Sequence, residues 1–233
     1  MSGHSKWSTI KRKKGAADAK RGAIFTKVAN MITIAARTGG SNPENNPSLA
    51  LAMEKASQAN MPKDNVERAV KRGTGKLEGV TIEELQIEAY GPGGTAFIIE
   101  AISDNKNRTI SEIRNLLSTH GGKMAASGSV AYQFDKKGLI LISNPSNEIE
   151  LIAIDAGAED TRMTNEGLEV YTTPKDLLTI KDVLKNAKIV SADIEFFPQN
   201  PLDISGEDKT KTEKLAQALS EHDDVNEVYS NLL

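Results

Sequence analysis

Leu85-Gln-Ile87-Glu-Ala89, Gly91-Pro92-Gly93-Gly94 and Thr95-Ala-Phe97-Ile-Ile99-Glu-Ala101 form the stretch on which the fold turns. Apolar residues alternate on both sides of a Gly/Pro tetrad, the pattern of two half-buried strands joined by a tight turn. Before this stretch the apolar period is helical, and after it strands and helices mix. The tetrad with Thr95 and Ala96 also spells a dinucleotide fingerprint ending in Ala. That fingerprint must open a helix whose N-terminus takes the pyrophosphate, and here a strand-like run follows, so a hairpin is expected. Gly73-Thr-Gly75-Lys76-Leu77 fails as a phosphate loop as well. Val70 occupies the first glycine position, and Leu77 replaces the hydroxyl that magnesium requires. No nucleotide cofactor is expected.

Working downstream, Ile110, Ile113, Leu116 and Leu117 mark a helix, followed by Gly121-Gly122 and an expected strand near residues 129–134. The order is β-β-α-β. From Gly138 the pattern restarts, with a strand over 139–142, a helix over 148–156, strands near 160–164 and 168–171, a helix begun by Pro174, and a strand over 189–196. That order, β-α-β-β-α-β, is ferredoxin-like. The tail adds a helix near 211–220 and a strand near 226–229. Because an open β-β-α-β sheet leaves a face uncovered, the tail is expected to complete the middle module, with the third module inserted into it.

Upstream, Val28, Ala29, Ile32, Ala35 and Ala36 recur at helical spacing until Gly39-Gly40. Pro47 suits the first turn of a second helix carrying Leu49, Ala52, Met53 and Ala56. Asn60-Met61-Pro62 opens a third with Val66, Ala69 and Val70 inward, and Gly73 stands where a left-handed cap belongs. The expected fold class is α+β and multidomain: an N-terminal three-helix domain followed by two ferredoxin-like α/β domains, the third inserted into the second. The expected division is 1–76, 77–134 with 204–233, and 135–203.

The chain has 233 residues, with 38% hydrophobic, 26% charged and only 4% aromatic residues, so its cores must be built from Ile, Leu, Val and Ala. With no cysteine, disulfides and thiolate metal sites are excluded, and a reducing, cytoplasmic setting is expected. His4, His120 and His222 are far apart in sequence and read as surface or packing residues, so no metal site is expected. No apolar run approaches the roughly 18 residues of a membrane helix, and no membrane partner is expected. The basic, Ser-containing start resembles a transit peptide in composition only, since the motifs run straight out of it.

Charge is strongly segregated along the chain. Through Lys76 there are 15 Lys and Arg against five Asp and Glu, a balance of +10 within a total of -3, which leaves -13 for the remainder. A basic body of this kind meets a polyanion, because each cation set against a phosphate releases condensed counterions. The plainer alternative is the solvated face of a helix. Lys6, Lys11, Arg12, Lys13 and Lys14 have no acidic residue near them in sequence, and that weighs against it. Trp7 lies among these cations, as in a base-stacking site, although it would serve equally as an anchor on the helical bundle.

Asp104-Asn-Lys-Asn-Arg108-Thr109 precedes the middle helix. Thr109 or Asn107 is expected to cap it, and Lys106 and Arg108 beside the helix N-terminus make a candidate anion site. The carboxylate pairs Asp223-Asp224, Glu207-Asp208 and Glu159-Asp160 have no nucleophile or histidine set for catalysis in sequence, so no catalytic residue is expected and the chain reads as a non-enzyme. An enzyme would need a concave cluster of perturbed groups around Asp104, Lys106 and Arg108.

Gly3-His4-Ser5-Lys6-Trp7, Lys20-Arg21-Gly22, Phe25-Thr26-Lys27, residues 35–40 (AARTGG), residues 60–65 (NMPKDN), Tyr90-Gly91-Pro92-Gly93-Gly94, residues 104–109 (DNKNRT), Gly121-Gly122 and Gly128-Ser129-Val130 together resemble the YebC/PmpR family over essentially the whole chain. The resemblance implies a crescent of an N-terminal helical domain and two α/β domains, the last inserted into the second. It implies two functional labels: a probable DNA-binding transcriptional regulator, and a ribosome-associated translation factor that relieves stalling, notably at proline-rich stretches. Both imply nucleic acid, ribosomal RNA or DNA, as the partner of the N-terminal region. Carried over by residue, the implied contacts are Lys6, Trp7, Lys11, Arg12, Lys13, Lys14, Lys20, Arg21, Lys27 and Arg37.

The chain departs from the family pattern at several positions. Asn30-Met31 stand where Arg-Glu is frequent, Ser48 and Ala50 stand where Arg is common, and Ala125 replaces a usual Gly. A helix presenting Lys27, Asn30 and Arg37 is a thin set for reading base edges, whereas flexible lysines and one tryptophan suit ribosomal RNA. RNA is therefore favoured over DNA on physical grounds.

Overall fold

A computed structural model of the chain describes residues 18–77 and 81–233, with side chains from residue 22 onward. These divide into two compact units. One holds the described residues through Phe134 together with Pro198–Leu233, and the other is Asp135–Phe197. The boundary expected at residue 76 falls inside the first unit.

Helix α1 is Asp18–Gly39, α2 is Pro47–Gln58 and α3 is Lys63–Gly73. Val28, Ile32, Ala35 and Ala36 of α1 bury one stripe against Leu49, Ala52 and Ala56 of α2 and Ala69 of α3. A second stripe of α1 sets Ile34 against Ile82 and Ile102, which joins the bundle to the strands that follow. Asn46 fixes the α1–α2 corner and is 3% exposed. Its amide nitrogen donates to the carbonyls of Ala35 and Gly40, both at 2.8 Å. Its side-chain oxygen accepts the Leu49 N–H at 3.1 Å, a helix cap.

Gly73 is not the left-handed cap that the sequence suggests. It is the last residue of α3, and a Cβ there would lie 2.3 Å from the Thr33 carbonyl oxygen, so it is required for close approach to α1. The left-handed residue is Gly75, at φ +73. The Gly75 N–H bonds to the Arg72 carbonyl at 3.1 Å and the Lys76 N–H to the Lys71 carbonyl at 2.9 Å.

The first sheet has the order β3-β1-β2-β8, with β1 Glu83–Tyr90, β2 Ala96–Ser103, β3 Lys123–Met124 and β8 Val225–Ser230. The β1–β2 hairpin turns through Pro92–Gly94, with Gly93 and Gly94 at φ +65 and +78. Helices α4 (Lys106–Thr119) and α7 (Gly206–Glu221) cover it. Phe97, Ile99, Ile113, Leu117, Leu215 and Leu219 are all fully buried, each worth about 1.5–3 kcal/mol. In chain order this sheet is β-β-α-β-α-β with the hairpin at its centre, so the expectation of two ferredoxin-like domains is corrected here.

The strand expected near 129–134 is also corrected. The short β3 lies earlier, and residues 131–133 form a 3-10 turn. The cause is Glu88, 5% exposed, whose carboxylate accepts the backbone N–H groups of Gly128, Val130 and Ala131 at 2.6, 2.6 and 2.8 Å. Backbone donors turned toward a side chain are lost to a ladder. Burial disfavours the Glu88 charge, but these three bonds outweigh it and hold the carboxyl below its ordinary range.

The second unit runs β4 (Phe134–Ser143), α5 (Asn147–Asp155), β5 (Asp160–Thr164), β6 (Gly167–Thr172), α6 (Leu177–Val183) and β7 (Lys188–Pro198). Its sheet order is β5-β6-β4-β7, with β6 antiparallel to both neighbours. Ile140, Ile142, Leu168, Val170, Leu177 and Ile180 are buried, and Tyr171 meets Phe197 edge-on at 5.3 Å. Among the described residues no helix is long and apolar enough to cross a membrane.

Candidate nucleic-acid interface

Helix α1 carries the described cations that the resemblance implied. Lys6, Trp7, Lys11, Arg12, Lys13 and Lys14 lie outside the described residues. Lys20 and Arg21 lie on the first turn of α1, their side chains likewise outside the described set. Lys27 is half-buried and its ammonium donates to the Ser220 carbonyl at 3.0 Å, in the last turn of α7, where helix carbonyls lack intrahelical partners. Arg37 is exposed, and one of its guanidinium nitrogens donates to the Ile82 carbonyl at 2.6 Å.

Lys20 and Arg37 are 17 residues apart on one helix, about 25 Å along its axis at 1.5 Å per residue. Arg37 instead keeps company with α3, since its backbone nitrogen is 3.1 Å from where a Cβ on Gly73 would sit.

Reading α3 only by its inward face missed its outward one. Val66, Ala69, Val70 and Gly73 turn toward the bundle, which leaves Lys63, Arg68, Lys71, Arg72 and the following Lys76 exposed. Lys71 reaches Glu67 at 3.6 Å, an exposed i,i+4 pair of small energetic weight. For Arg68, Arg72 and Lys76 there is no ion-pair partner among the described residues. The four-residue spacing of these three cations was available in the sequence as a signal.

The candidate anion site at α4 is built differently from the expectation. Asn105 caps the helix by accepting the Arg108 N–H at 3.1 Å, in place of Thr109 or Asn107. The Arg108 guanidinium donates to Asp104 and Asp224, both at 2.9 Å. Ser103 and Thr109 also hydrogen-bond to Asp224. Burial works against the Asp224 charge, but bonds from Thr109, Arg108 and Ser103 win and depress its pKa, while Asp224 raises that of Arg108. Arg108 and the α4 N-terminus thus have internal carboxylate and amide partners, and Lys106 is exposed beside them.

An open cleft of about 650 Å³ lies here, lined by Arg108, Glu112, Asn115 and Leu116 of α4 and by residues 221–224. Donor atoms of Glu112, His222 and Asp224 lie within 4.8 Å of one another, the spacing of a metal site. The hydrogen bonds oppose that use. The Asp224 N–H donates to His222 Nδ1 at 3.1 Å, so Nε2 carries the ring proton, and it faces Glu112 at 3.0 Å. A metal would need Nε2 bare. The cleft lining offers no hydroxyl or amine nucleophile among the described residues.

Two family models match the chain. Residues 5–76 match the TACO1/YebC protein N-terminal domain, and residues 82–232 match the TACO1/YebC second and third domain. A "probable transcriptional regulatory protein" of Desulfosudis oleivorans is 49% identical over 236 residues, covering 99% of this chain and 96% of that relative. A protein of the same description from Acidithiobacillus ferrooxidans is 50% identical over 235 residues, covering 99% and 94%. The crystal structure of a conserved hypothetical protein from Aquifex aeolicus superposes with a TM-score of 0.89 at 43% identity, covering 98% of this chain and 97% of the other.

Proposed function

This chain belongs to the TACO1/YebC family, and on that premise we propose that it is a non-enzymatic regulator of gene expression that grips nucleic acid through its N-terminal helical region. The observation that carries the reading is the charge division, +10 through Lys76 within a chain of -3. In this reading residues 1–76 contact the polyanion, and the acidic domains, 77–134 with 204–233 and 135–203, set its orientation or meet a protein. The chain acts in the cytoplasm on ribosomal RNA, as a translation factor that relieves stalling. Of Lys27, Asn30 and Arg37, the side chains that α1 would offer to base edges, Lys27 already binds the Ser220 carbonyl, which favours backbone contact over sequence reading.

The names of the relatives favour a second reading, a DNA-binding transcriptional regulator. Sedimentation through cell extract separates the two, since the first places the protein with ribosomes and the second with DNA. If six cations meet phosphate, log affinity falls against log salt with a slope of about -4 on single strands and about -5 on duplex DNA. A salt-independent affinity, or Lys11, Arg12, Lys13 and Lys14 replaced by Ala without effect on binding, rules out the N-terminal assignment.

A further inference from the structure

We propose that the outward face of α3, formed by Arg68, Arg72 and Lys76, is a second phosphate-binding ridge that takes the backbone of a double-helical nucleic acid. It deepens the function proposed above and rests on it.

Three observations carry the inference. The first is availability: all three cations are exposed, and none has an ion-pair partner among the described residues. A helix places its residues 1.5 Å apart along the axis, so Arg68 and Arg72 stand about 6 Å apart on one face. Lys76 follows just past the helix, where the turn at Gly75 folds its N–H back to the Lys71 carbonyl at 2.9 Å and keeps it beside the last turn. The helix dipole favours Lys71 and Arg72 in the last turn, but it gives no reason for Arg68 in the middle or for Lys76 beyond the end.

The second is rigidity. Gly73 brings α3 against the Thr33 carbonyl, and the Thr33 hydroxyl donates to the Ala69 carbonyl at 3.1 Å in the buried seam. The cations therefore stand on a helix clamped at two points to α1. A fixed ridge matches a fixed array of phosphates and loses little conformational entropy when it docks.

The third is composition, which selects the occupant. The exposed α3 positions are Lys63, Asp64, Glu67, Arg68, Lys71 and Arg72, with no aromatic and no large apolar side chain. Single strands are held by stacking of bases on aromatic rings, whereas a double helix presents phosphates outward and hides its bases. Asp64 lies in the first turn, and Glu67 is engaged by Lys71 at 3.6 Å, which leaves only basic residues exposed on the helix from Arg68 onward.

The test measures binding of the full chain, by fluorescence anisotropy across a potassium chloride series, to a 20-base-pair RNA duplex, the matching DNA duplex and a 20-nucleotide single strand. The Arg68→Ala/Arg72→Ala/Lys76→Ala variant should lose about 2 to 3 from the magnitude of the duplex salt slope and change single-strand binding little. The Arg68→Lys/Arg72→Lys variant should keep the wild-type slope, and it serves as the folded control should the triple variant lose its helical circular dichroism. Loss of slope in that lysine variant means that guanidinium geometry, not backbone charge, holds the ligand, and overturns the assignment. An unchanged slope in the triple variant, with wild-type binding intact, overturns the ridge while leaving the parent function standing. Failure of the unaltered chain to bind any of the three probes removes both. The RNA and DNA duplex arms distinguish which double helix is preferred.

Discussion

The guanidinium of Arg108 donates to Asp224 at 2.9 Å across 116 residues of sequence, tying the start of α4 to the loop before β8. Asp224 also takes bonds from Thr109 and Ser103, so it is the common acceptor of a three-donor knot. Asp224→Ala should therefore destabilise by about 1–3 kcal/mol, because Ser103 and Thr109 are buried and would lose an acceptor. Arg108→Ala, at an exposed pair, should cost less. Denaturant melts of the two variants check the order, and equal losses would contradict it.

Acid should loosen both carboxylate anchors. Glu88 and Asp224 have folded pKa values below their ordinary ones, so their contribution is complete above the unfolded values near 4 and is lost as pH falls through the lower folded values. Stability measured by denaturant melts should hold from neutral pH to about 5 and drop below about 4. The drop should be smaller in a variant lacking both carboxylates.

Glu88→Gln replaces one carboxylate oxygen by an NH2 group that cannot accept, so the N–H of Gly128 on one oxygen, or those of Val130 and Ala131 on the other, lose their acceptor. We expect a loss of roughly 1–3 kcal/mol, with the loop giving way first. Hydrogen exchange read at residues 128, 130 and 131 should accelerate more than at β2. Uniform acceleration across the sheet would mean that Glu88 does not act locally.

Gly73→Ala separates two readings of one residue. In a free helix the change gains about 1 kcal/mol, but here a Cβ meets the Thr33 carbonyl at 2.3 Å. The seam between α1 and α3 must open, at about 1–3 kcal/mol. A rise in melting temperature would show that the seam is looser than described.

Asn46→Ala removes two donors and one cap acceptor from a buried corner. The expected cost is about 1–3 kcal/mol. Asn46→Asp keeps the cap to Leu49 but sets a buried carboxylate oxygen against the Ala35 and Gly40 carbonyls, so thermal melts should rank it no higher than Ala.

Much of this architecture was legible in the sequence because the signals are local. Gly39-Gly40, Pro47 and Pro62 bound the three helices, and the alternation around Gly91–Gly94 gave the hairpin. What escaped was set by distant partners. Glu88 alternates with Gln86 as a solvent-facing residue would, and only a loop 40 residues downstream makes it an internal anchor. Gly73 looked like a helix stop because a glycine's need for space is invisible without the neighbouring helix. Arg68, Arg72 and Lys76 do not stand out by helical periodicity, which marks only what a helix buries.

The edge strand β8 pairs with β2 from Phe97↔Ser230 to Ala101↔Val225, and Asn231 accepts the Ala96 N–H at 2.8 Å. During synthesis the sheet begun at residue 83 must wait for residues 225–231 to emerge, while the continuous segment 135–197 has every strand it needs much earlier. The inserted unit is therefore born complete inside an unfinished host, and a ribosome paused between residues 198 and 225 would hold a nascent chain whose β2 edge is still bare.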